Sequence, residues 1–111
     1  MPITVLFRTQ LRPDLDTAQY EAHANQLLAL ASALPGFIEA KDFIGTDGER
    51  LALITWRSEE DLARWRDHPV HRLAQEKGRT DYYARYHLSV CRVLRTSAWP
   101  ASDDETKGPR T

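Results

Sequence analysis

The order in which hydrophobic periodicity changes along the chain constrains its fold more than any other feature. Residues 3–11 alternate between apolar and polar side chains, which predicts a strand. Residues 17–34 repeat apolar side chains every three or four positions, which predicts an amphipathic helix ended by a Pro-Gly pair. Asp14 or Asp16 can cap the start of this helix, because an Asp side chain accepts hydrogen bonds from its first free N–H groups.

Three further strands are predicted along the chain. Residues 37–44 and 51–56 are rich in strand-forming side chains, and the Asp47-Gly48 pair between them is a strong signal for a tight hairpin turn. Residues 86–94 alternate again, so they predict the last strand.

The segment between the third and fourth strands predicts a helix that breaks. Ser58 and Asp61 have the spacing of a capping box, which opens a helix. Pro69 falls where that helix would continue. Because proline lacks an N–H and clashes with the preceding turn, it should kink the helix or start a new one. The second part, over residues 69–77, is expected to stop at Gly78, with a short connection to the last strand.

The resulting order, β-α-β-β-α-β, is an α+β arrangement, the ferredoxin-like split unit. It occupies residues 1–95 as one domain, while residues 96–111 are polar and predict a flexible C-terminal tail with Trp99 as a possible anchor. Two helices cover one face of a four-stranded sheet. The other face would expose Ile, Val and Leu side chains, so we expect a homodimer that buries it.

Composition excludes several classes of partner. The 15 Lys and Arg residues balance 16 Asp and Glu, which leaves no electrostatic basis for binding nucleic acid. The single cysteine, Cys91, fits a reducing compartment. The first residues do not have a signal-peptide pattern and no apolar run approaches membrane-spanning length, so we expect a cytoplasmic protein without a membrane partner.

Residues 56–86 concentrate aromatic side chains that a simple surface helix does not need. Two tryptophans, two histidines and three tyrosines lie in this stretch. Large aromatic side chains with polar ends suit the wall of a cavity, because each polar end requires a partner or water. The sequence therefore predicts a cavity that binds a small aromatic or hydrophobic molecule.

Three residues around the predicted helix break are candidates for that cavity. Trp65 either packs in the core or forms a cavity wall. An unbroken helix would place Trp65 and His71 on opposite faces, so a shared cavity depends on the break at Pro69. A neutral His71 imidazole can accept a phenolic proton, and the alternative is a histidine that only bonds to a tyrosine. His68 is either a substrate-binding residue or part of the helix cap.

The tyrosines at the entry to the last strand are the other candidates. Tyr83 and Tyr86 would share a face if the segment stayed helical. Strict strand alternation would instead separate Tyr82 and Tyr86 from Tyr83. One or two of them are expected to close the cavity. Arg79 is a surface cation that can also reach an anionic group of a substrate.

Three motifs stand within this element order. Pro-Gly-Phe joins the first helix to the second strand, Trp-x-Ser-x-Glu-x-x-x-x-Trp opens the second helix (Trp56 to Trp65), and HxxHRxAQExGR follows from His68 to Arg79. Together, over residues 2–95, they resemble the antibiotic biosynthesis monooxygenase (ABM) domain family of the dimeric α+β barrel superfamily. The resemblance implies a ferredoxin-like unit that forms a dimeric α+β barrel.

The resemblance also implies an oxidative chemistry. Some members of that family oxidise polycyclic phenols to quinones with O₂ and neither metal nor flavin, using a Trp, a Tyr and an Asn, and others degrade haem. The haem-degrading members place an Asn on the first strand and a His ten residues after the helix-2 Trp. Here Gln75 stands ten residues after Trp65, and Asn25, the only asparagine, lies on the first helix. The resemblance therefore favours a monooxygenase without haem or another cofactor.

The residues leave two functions open. One is a cofactor-independent monooxygenase that oxidises a small aromatic or polyketide-like substrate, with His71 as the catalytic base and Trp65, His68, Tyr83 and Tyr86 as substrate-binding residues. The other is a non-catalytic dimer that binds a small hydrophobic ligand. No metal site is predicted, because the histidine pair lacks an evident third and fourth ligand.

Overall fold

The computed structural model describes residues 1–100, and within them strands and helices follow the predicted order. The elements are β1 (Ile3–Leu11), α1 (Thr17–Ser32), β2 (Phe37–Ile44), β3 (Arg50–Trp56), α2 (Glu59–Arg66), α3 (Pro69–Lys77) and β4 (Tyr83–Arg92), with a π-helical segment, Gly78–Tyr82, between α3 and β4. The predicted tail, residues 96–111, lies mostly outside this range, since residues 101–111 are beyond the described residues.

The local signals that start the helices act as the sequence predicts. Of the two candidate caps of α1, Asp16 is the one used, and its side chain accepts a hydrogen bond from the N–H of Gln19 at 3.2 Å. The Ser58 hydroxyl accepts from the N–H of Asp61 at 3.2 Å and donates to its carboxylate at 2.9 Å. Gly48 adopts a φ of 85°, which a residue with a side chain rarely does, so the hairpin turn forms where the sequence placed it.

The four strands form one antiparallel sheet in the order β2-β3-β1-β4, which is the ferredoxin-like α+β fold. Residues opposite each other on neighbouring strands share a face. Val5 lies opposite Ile54 on β3 and Val90 on β4, and Ile3 lies opposite Trp56. These side chains form the face that the helices cover, where Trp56 is fully buried.

The other face of the sheet, called the open face below, has no helix over it within residues 1–100. Its apolar side chains are Leu6, Leu51, Leu53 and Phe43, which lie opposite one another or opposite polar residues across the strands. The expectation that Ile and Val would also lie there was wrong for β1 and β3. Residue parity turns the Ile and Val of those strands to the helix side.

The connection from α3 to β4 differs from the prediction. The α-helix ends at Lys77 with Gly78 as its C-cap, as predicted, but the strand was expected to run from Tyr86 to Leu94. One π-helical turn, Gly78–Tyr82, forms the short connection, and β4 begins at Tyr83 and ends at Arg92. Gly78 lies at φ −58°, ordinary right-handed helix, and is buried against the ring of Tyr83, so the chain passes directly from α3 into this turn.

Among residues 1–100, no helix has both the length and the apolar character that crossing a membrane requires.

Candidate functional site

The break between α2 and α3 brings Trp65 and His71 together. Asp67 ends α2, and His68 has extended backbone (φ −63°, ψ 131°), the conformation that a following proline favours. Pro69 occupies the first turn of α3, where its missing N–H costs nothing. The chain changes direction at this point, so His71 lies on the same side as Trp65.

Trp65 and His71 form a stacked pair. Their ring centroids are 4.3 Å apart and their planes differ by 18°. The Nδ1 atom of His71 lies 3.0 Å from the backbone carbonyl oxygen of Trp65. Because a carbonyl oxygen only accepts, Nδ1 donates this bond, and in the neutral imidazole Nε2 then carries the lone pair. The pair therefore presents one defined tautomer, with the lone pair on Nε2.

The protonation of His71 favours the neutral form. Burial lowers the pKa of its imidazole below the ordinary value of 6.5, and the hydrogen bond to the Trp65 carbonyl opposes this shift without reversing it. His71 is consequently unprotonated near neutral pH and able to accept a proton there.

A bulge at the start of β4 brings Tyr83 and Tyr86 to one face. Gln10 pairs with Arg85 but Leu11 pairs with Tyr83, so Ala84 is an extra residue in β4. Both tyrosine rings consequently contact Phe7, at centroid distances of 5.5 and 5.6 Å. The expectation that strand alternation would separate Tyr83 from Tyr86 was wrong, because it allowed for no inserted residue.

These side chains line one cavity between the helices and the sheet, with a volume of about 420 Å³. This volume lies within the range of small-molecule sites, roughly 300–1,000 Å³. The walls are mainly apolar and aromatic. They are formed by Val5, Phe7, Leu27, Ile54, Trp56, Leu62, Trp65, Arg66, His71, Ala74, Gln75, Arg79, Tyr83, Tyr86, Leu88 and Val90.

The phenol of Tyr83 is protonated, so Tyr83 is not a base of this wall. Burial raises the pKa of its hydroxyl well above the ordinary value of 10.0, and the neighbouring Tyr20 adds to the shift. Burial likewise raises the pKa of Tyr20. Both phenols stay protonated at physiological pH, so neither Tyr83 nor Tyr20 supplies a phenolate base there.

The structure places four of the five candidate residues, Trp65, His71, Tyr83 and Tyr86, around the cavity, and His68 outside its lining. The Nδ1 atom of His68 accepts a hydrogen bond from the N–H of Val70 at 3.2 Å and so caps α3. Its ring lies 5.9 Å from that of Trp65, centroid to centroid. A role for His68 in binding substrate stays a prediction.

The histidine and the cysteine of β4, His87 and Cys91, lie away from His71. Strand register puts His87 and Cys91 on the open face, on the other side of the sheet from His71. In the described part of the chain, no three His, Cys, Asp or Glu side chains come together as a metal site would require.

Sequence reasoning did not identify much of the cavity wall. Phe7, Leu88 and Val90 carry the ordinary strand pattern, which does not distinguish a core residue from a cavity residue. Leu88 and Val90 remain 47% and 54% exposed, because β4 is an edge strand that the helices do not fully cover. The ferredoxin-like order of elements predicts that β4 is an edge strand. This is the one sequence signal for the exposure of Leu88 and Val90.

Comparison with known proteins identifies relatives of the whole fold. The family model described as antibiotic biosynthesis monooxygenase, ABM, matches residues 2–77. The uncharacterized protein YqjZ of Bacillus subtilis is 30% identical over 94 residues, which are 85% of this chain and 82% of YqjZ. The jasmonate monooxygenase ABM of Pyricularia oryzae is 38% identical over 92 residues, but the match spans only 42% of that longer protein.

A solved structure resembles the same part of the chain. SnoaB, described as a cofactor-independent oxygenase from Streptomyces nogalater, superposes with a TM-score of 0.71, covering 86% of this chain and 95% of SnoaB. At 14% sequence identity this likeness concerns the fold alone.

Proposed function

Because the chain belongs to the antibiotic biosynthesis monooxygenase family, we propose that it is a cofactor-independent monooxygenase acting on a small aromatic or polyketide-like phenol in the helix-sheet cavity. One observation carries this proposal, the stacked pair of Trp65 and His71 with Nδ1 bonded to the Trp65 carbonyl. The pair joins a flat apolar surface to a neutral base within one cavity.

The proposed reaction begins with proton transfer to His71. The base takes the phenolic proton, and the resulting phenolate is electron-rich enough to reduce O₂. Over the whole reaction, an arene with one hydroxyl and one free ring C–H reacts with one O₂ to give a quinone and one water. One oxygen atom becomes the new carbonyl, the other leaves as water with the phenolic and the ring hydrogen, and all four electrons that O₂ accepts come from the substrate.

The remaining walls suit a planar substrate. Trp65, stacked on His71, borders the cavity on the helix side, and Tyr83 and Tyr86 of β4 both contact the ring of Phe7 on β1. Offset or edge contacts between aromatic rings add roughly 0.5–1.5 kcal/mol each beyond area burial.

The names of two similar proteins agree with an oxygenase. One relative is called a jasmonate monooxygenase and SnoaB is called a cofactor-independent oxygenase. Neither name fixes the substrate of this chain.

The test separates binding from turnover. Oxygen uptake and ligand binding are measured with a panel of anthrones and naphthols for the wild type, His71→Ala and Trp65→Ala. We expect His71→Ala to lower kcat by about 10²- to 10⁴-fold with little change in affinity. Trp65→Ala should chiefly weaken binding. The matched control is His87→Ala, on the open face, which should retain wild-type turnover.

Unchanged oxygen uptake in His71→Ala would exclude the proposed base. Ligands that bind without any oxygen uptake would favour the alternative, a non-catalytic protein for small hydrophobic molecules.

We also propose that two copies pair through the open face, as a dimeric α+β barrel, in the cytoplasm. The leucines and the phenylalanine of that face support the pairing, because sealing them from water stabilises the dimer by roughly 25 cal/mol per Å². An interface of this obligate kind buries about 2,000 Å² or more. The single cysteine supports a reducing compartment.

A further inference from the structure

The charges around the cavity are unbalanced. Its lining contains two arginines, Arg66 and Arg79, and neither Asp nor Glu. Arg66 is neutralised by Asp67, whose carboxylate oxygens accept from its Nε and Nη2 at 3.2 and 3.3 Å. Within residues 1–100, the guanidinium of Arg79 makes no such ion pair. One uncompensated positive charge therefore borders an otherwise mainly apolar cavity.

The backbone around Arg79 is held in place. Arg12 donates from Nη2 to the carbonyl oxygen of Arg79 at 3.2 Å and from Nε to that of Tyr83 at 3.3 Å. The guanidinium of Arg12 thereby fastens the π-helical segment to the end of β1. Short π-helical insertions often accompany functional sites, because they re-aim side chains that a regular helix would direct elsewhere.

The position of Gln75 adds a neutral donor beside this cation. Gln75 precedes Arg79 by four residues, about one helical turn, and both line the cavity. Arg79 is exposed while Trp65 and Ala74 in the same lining are buried. The cation consequently lies at the water-facing margin of the cavity, and the apolar walls lie deeper.

We propose that the ligand of this cavity is an amphipathic carboxylate, with its planar apolar body against the apolar walls of the cavity and its carboxylate paired with Arg79. This deepens the proposed function and rests on it only in taking the cavity as the substrate site. The planar guanidinium matches a carboxylate with two parallel hydrogen bonds. At the margin the carboxylate keeps part of its hydration, so pairing there does not carry the full cost of burying a charge.

The experiment compares two ligands that differ only in charge. A hydroxynaphthoic acid and the corresponding hydroxynaphthamide are titrated under nitrogen, with tryptophan fluorescence as the signal, so that binding is measured without turnover. The proteins are the wild type, Arg79→Gln and a matched control, Arg72→Gln. Arg72 lies on α3 and is exposed, and its replacement removes the same charge outside the cavity lining.

We expect the wild type to bind the acid about ten- to a hundredfold more tightly than the amide, which is the usual effect of one charge-assisted pair. Arg79→Gln should abolish this preference while leaving the affinity for the amide unchanged, and Arg72→Gln should preserve it. Equal affinity of the wild type for both ligands, a preference that survives Arg79→Gln, or no binding of either ligand would each overturn the proposal.

Oxygen uptake with the acid, measured separately, distinguishes the two ideas. A preference that depends on Arg79 without oxygen uptake would leave the carboxylate site intact and remove the oxygenase function. Oxygen uptake with both ligands, bound with equal affinity, would support the oxygenase function and exclude the carboxylate site.

Discussion

His71 acquires its chemical character from its neighbour Trp65. The indole ring removes one face of the imidazole from water, and the Trp65 carbonyl fixes the proton on Nδ1. The first contact disfavours the charged form and the second selects the tautomer. A histidine three residues earlier, His68, uses its own Nδ1 as an acceptor for a helix cap. Two histidines in one motif thus serve different purposes because their ring nitrogens meet different partners.

The lowered pKa of His71 predicts how stability depends on pH. The unfolded chain binds a proton at this residue near pH 6.5, and the folded chain does so only at lower pH. The preference of the folded state for neutral His71 adds fully to the free energy of unfolding above pH 6.5. This contribution is lost as pH falls toward the lowered pKa. His68 lies close enough to lower the pKa slightly further.

Urea unfolding of the wild type and of His71→Gln, above and below this pH, checks the expectation. The wild type should lose more stability on acidification than His71→Gln, while His87→Gln, an exposed control, should behave as the wild type. Parallel losses in the wild type and His71→Gln would contradict the assignment.

At the scale of elements, the irregular features determine the site. The break between α2 and α3, the π-helical segment and the bulge in β4 lie within about twenty residues of one another along the chain. Each one re-aims a side chain that a regular element would have directed away from the cavity. Gly78 is central to this, because a Cβ atom there would collide with the ring of Tyr83.

The collision at Gly78 predicts a reversal of the usual effect of alanine. At a right-handed helical position, Gly→Ala commonly stabilises a protein by about 0.4–1 kcal/mol. Here Phe7 and Tyr20 hold the Tyr83 ring at centroid distances of 5.5 and 6.4 Å, so it has little freedom to move aside. We expect Gly78→Ala to destabilise the protein by about 1–3 kcal/mol, the range for overpacked sites.

A double-mutant cycle with Tyr83→Ala provides the control. In that background the ring is absent, and Gly78→Ala should become neutral or stabilising in thermal or urea unfolding. The same loss in both backgrounds would mean that the ring is not the cause.

At the scale of the whole molecule, the two faces of the sheet differ in what covers them. The helix side closes over Ile3, Trp56 and Trp65, whereas the open face leaves its apolar side chains at least partly exposed. Leu53 lies near the middle of that face, opposite Leu6 on β1 and Lys41 on β2. The proposed dimer would seal this surface.

Leu53→Glu tests the dimer. A carboxylate in an interface that excludes water is costly, so sedimentation equilibrium should show a dimeric wild type and a monomeric Leu53→Glu. The control is Leu73→Glu, which introduces the same charge at an α3 position that is 67% exposed, and it should remain dimeric. Circular dichroism verifies that both variants are folded. A monomeric wild type at every concentration would disprove the pairing.

The elements of the fold could be predicted because their signals are local. Alternation places β1 and β2, the Ser58 cap starts α2, and Pro69 marks the helix break, each within a few residues of the feature it controls. The same local signals could not find the π-helical segment. Gly78 ends α3 as a glycine usually does, but the π-helical turn that follows packs Gly78 against Tyr83, a contact that exists only once β4 has formed.

The sequence by itself determined the order of strands and helices, the break that lets Trp65 and His71 meet, and the aromatic content of the site. Tertiary structure alone decided which rings face the cavity. The inserted Ala84 depends on the pairing of β4 with β1, seventy and more residues away along the chain, so no local pattern contains it. Nor does the sequence show that Arg79 lacks a counterion among residues 1–100, because a charge is compensated by what lies near it in space, and that is known only once the chain has folded.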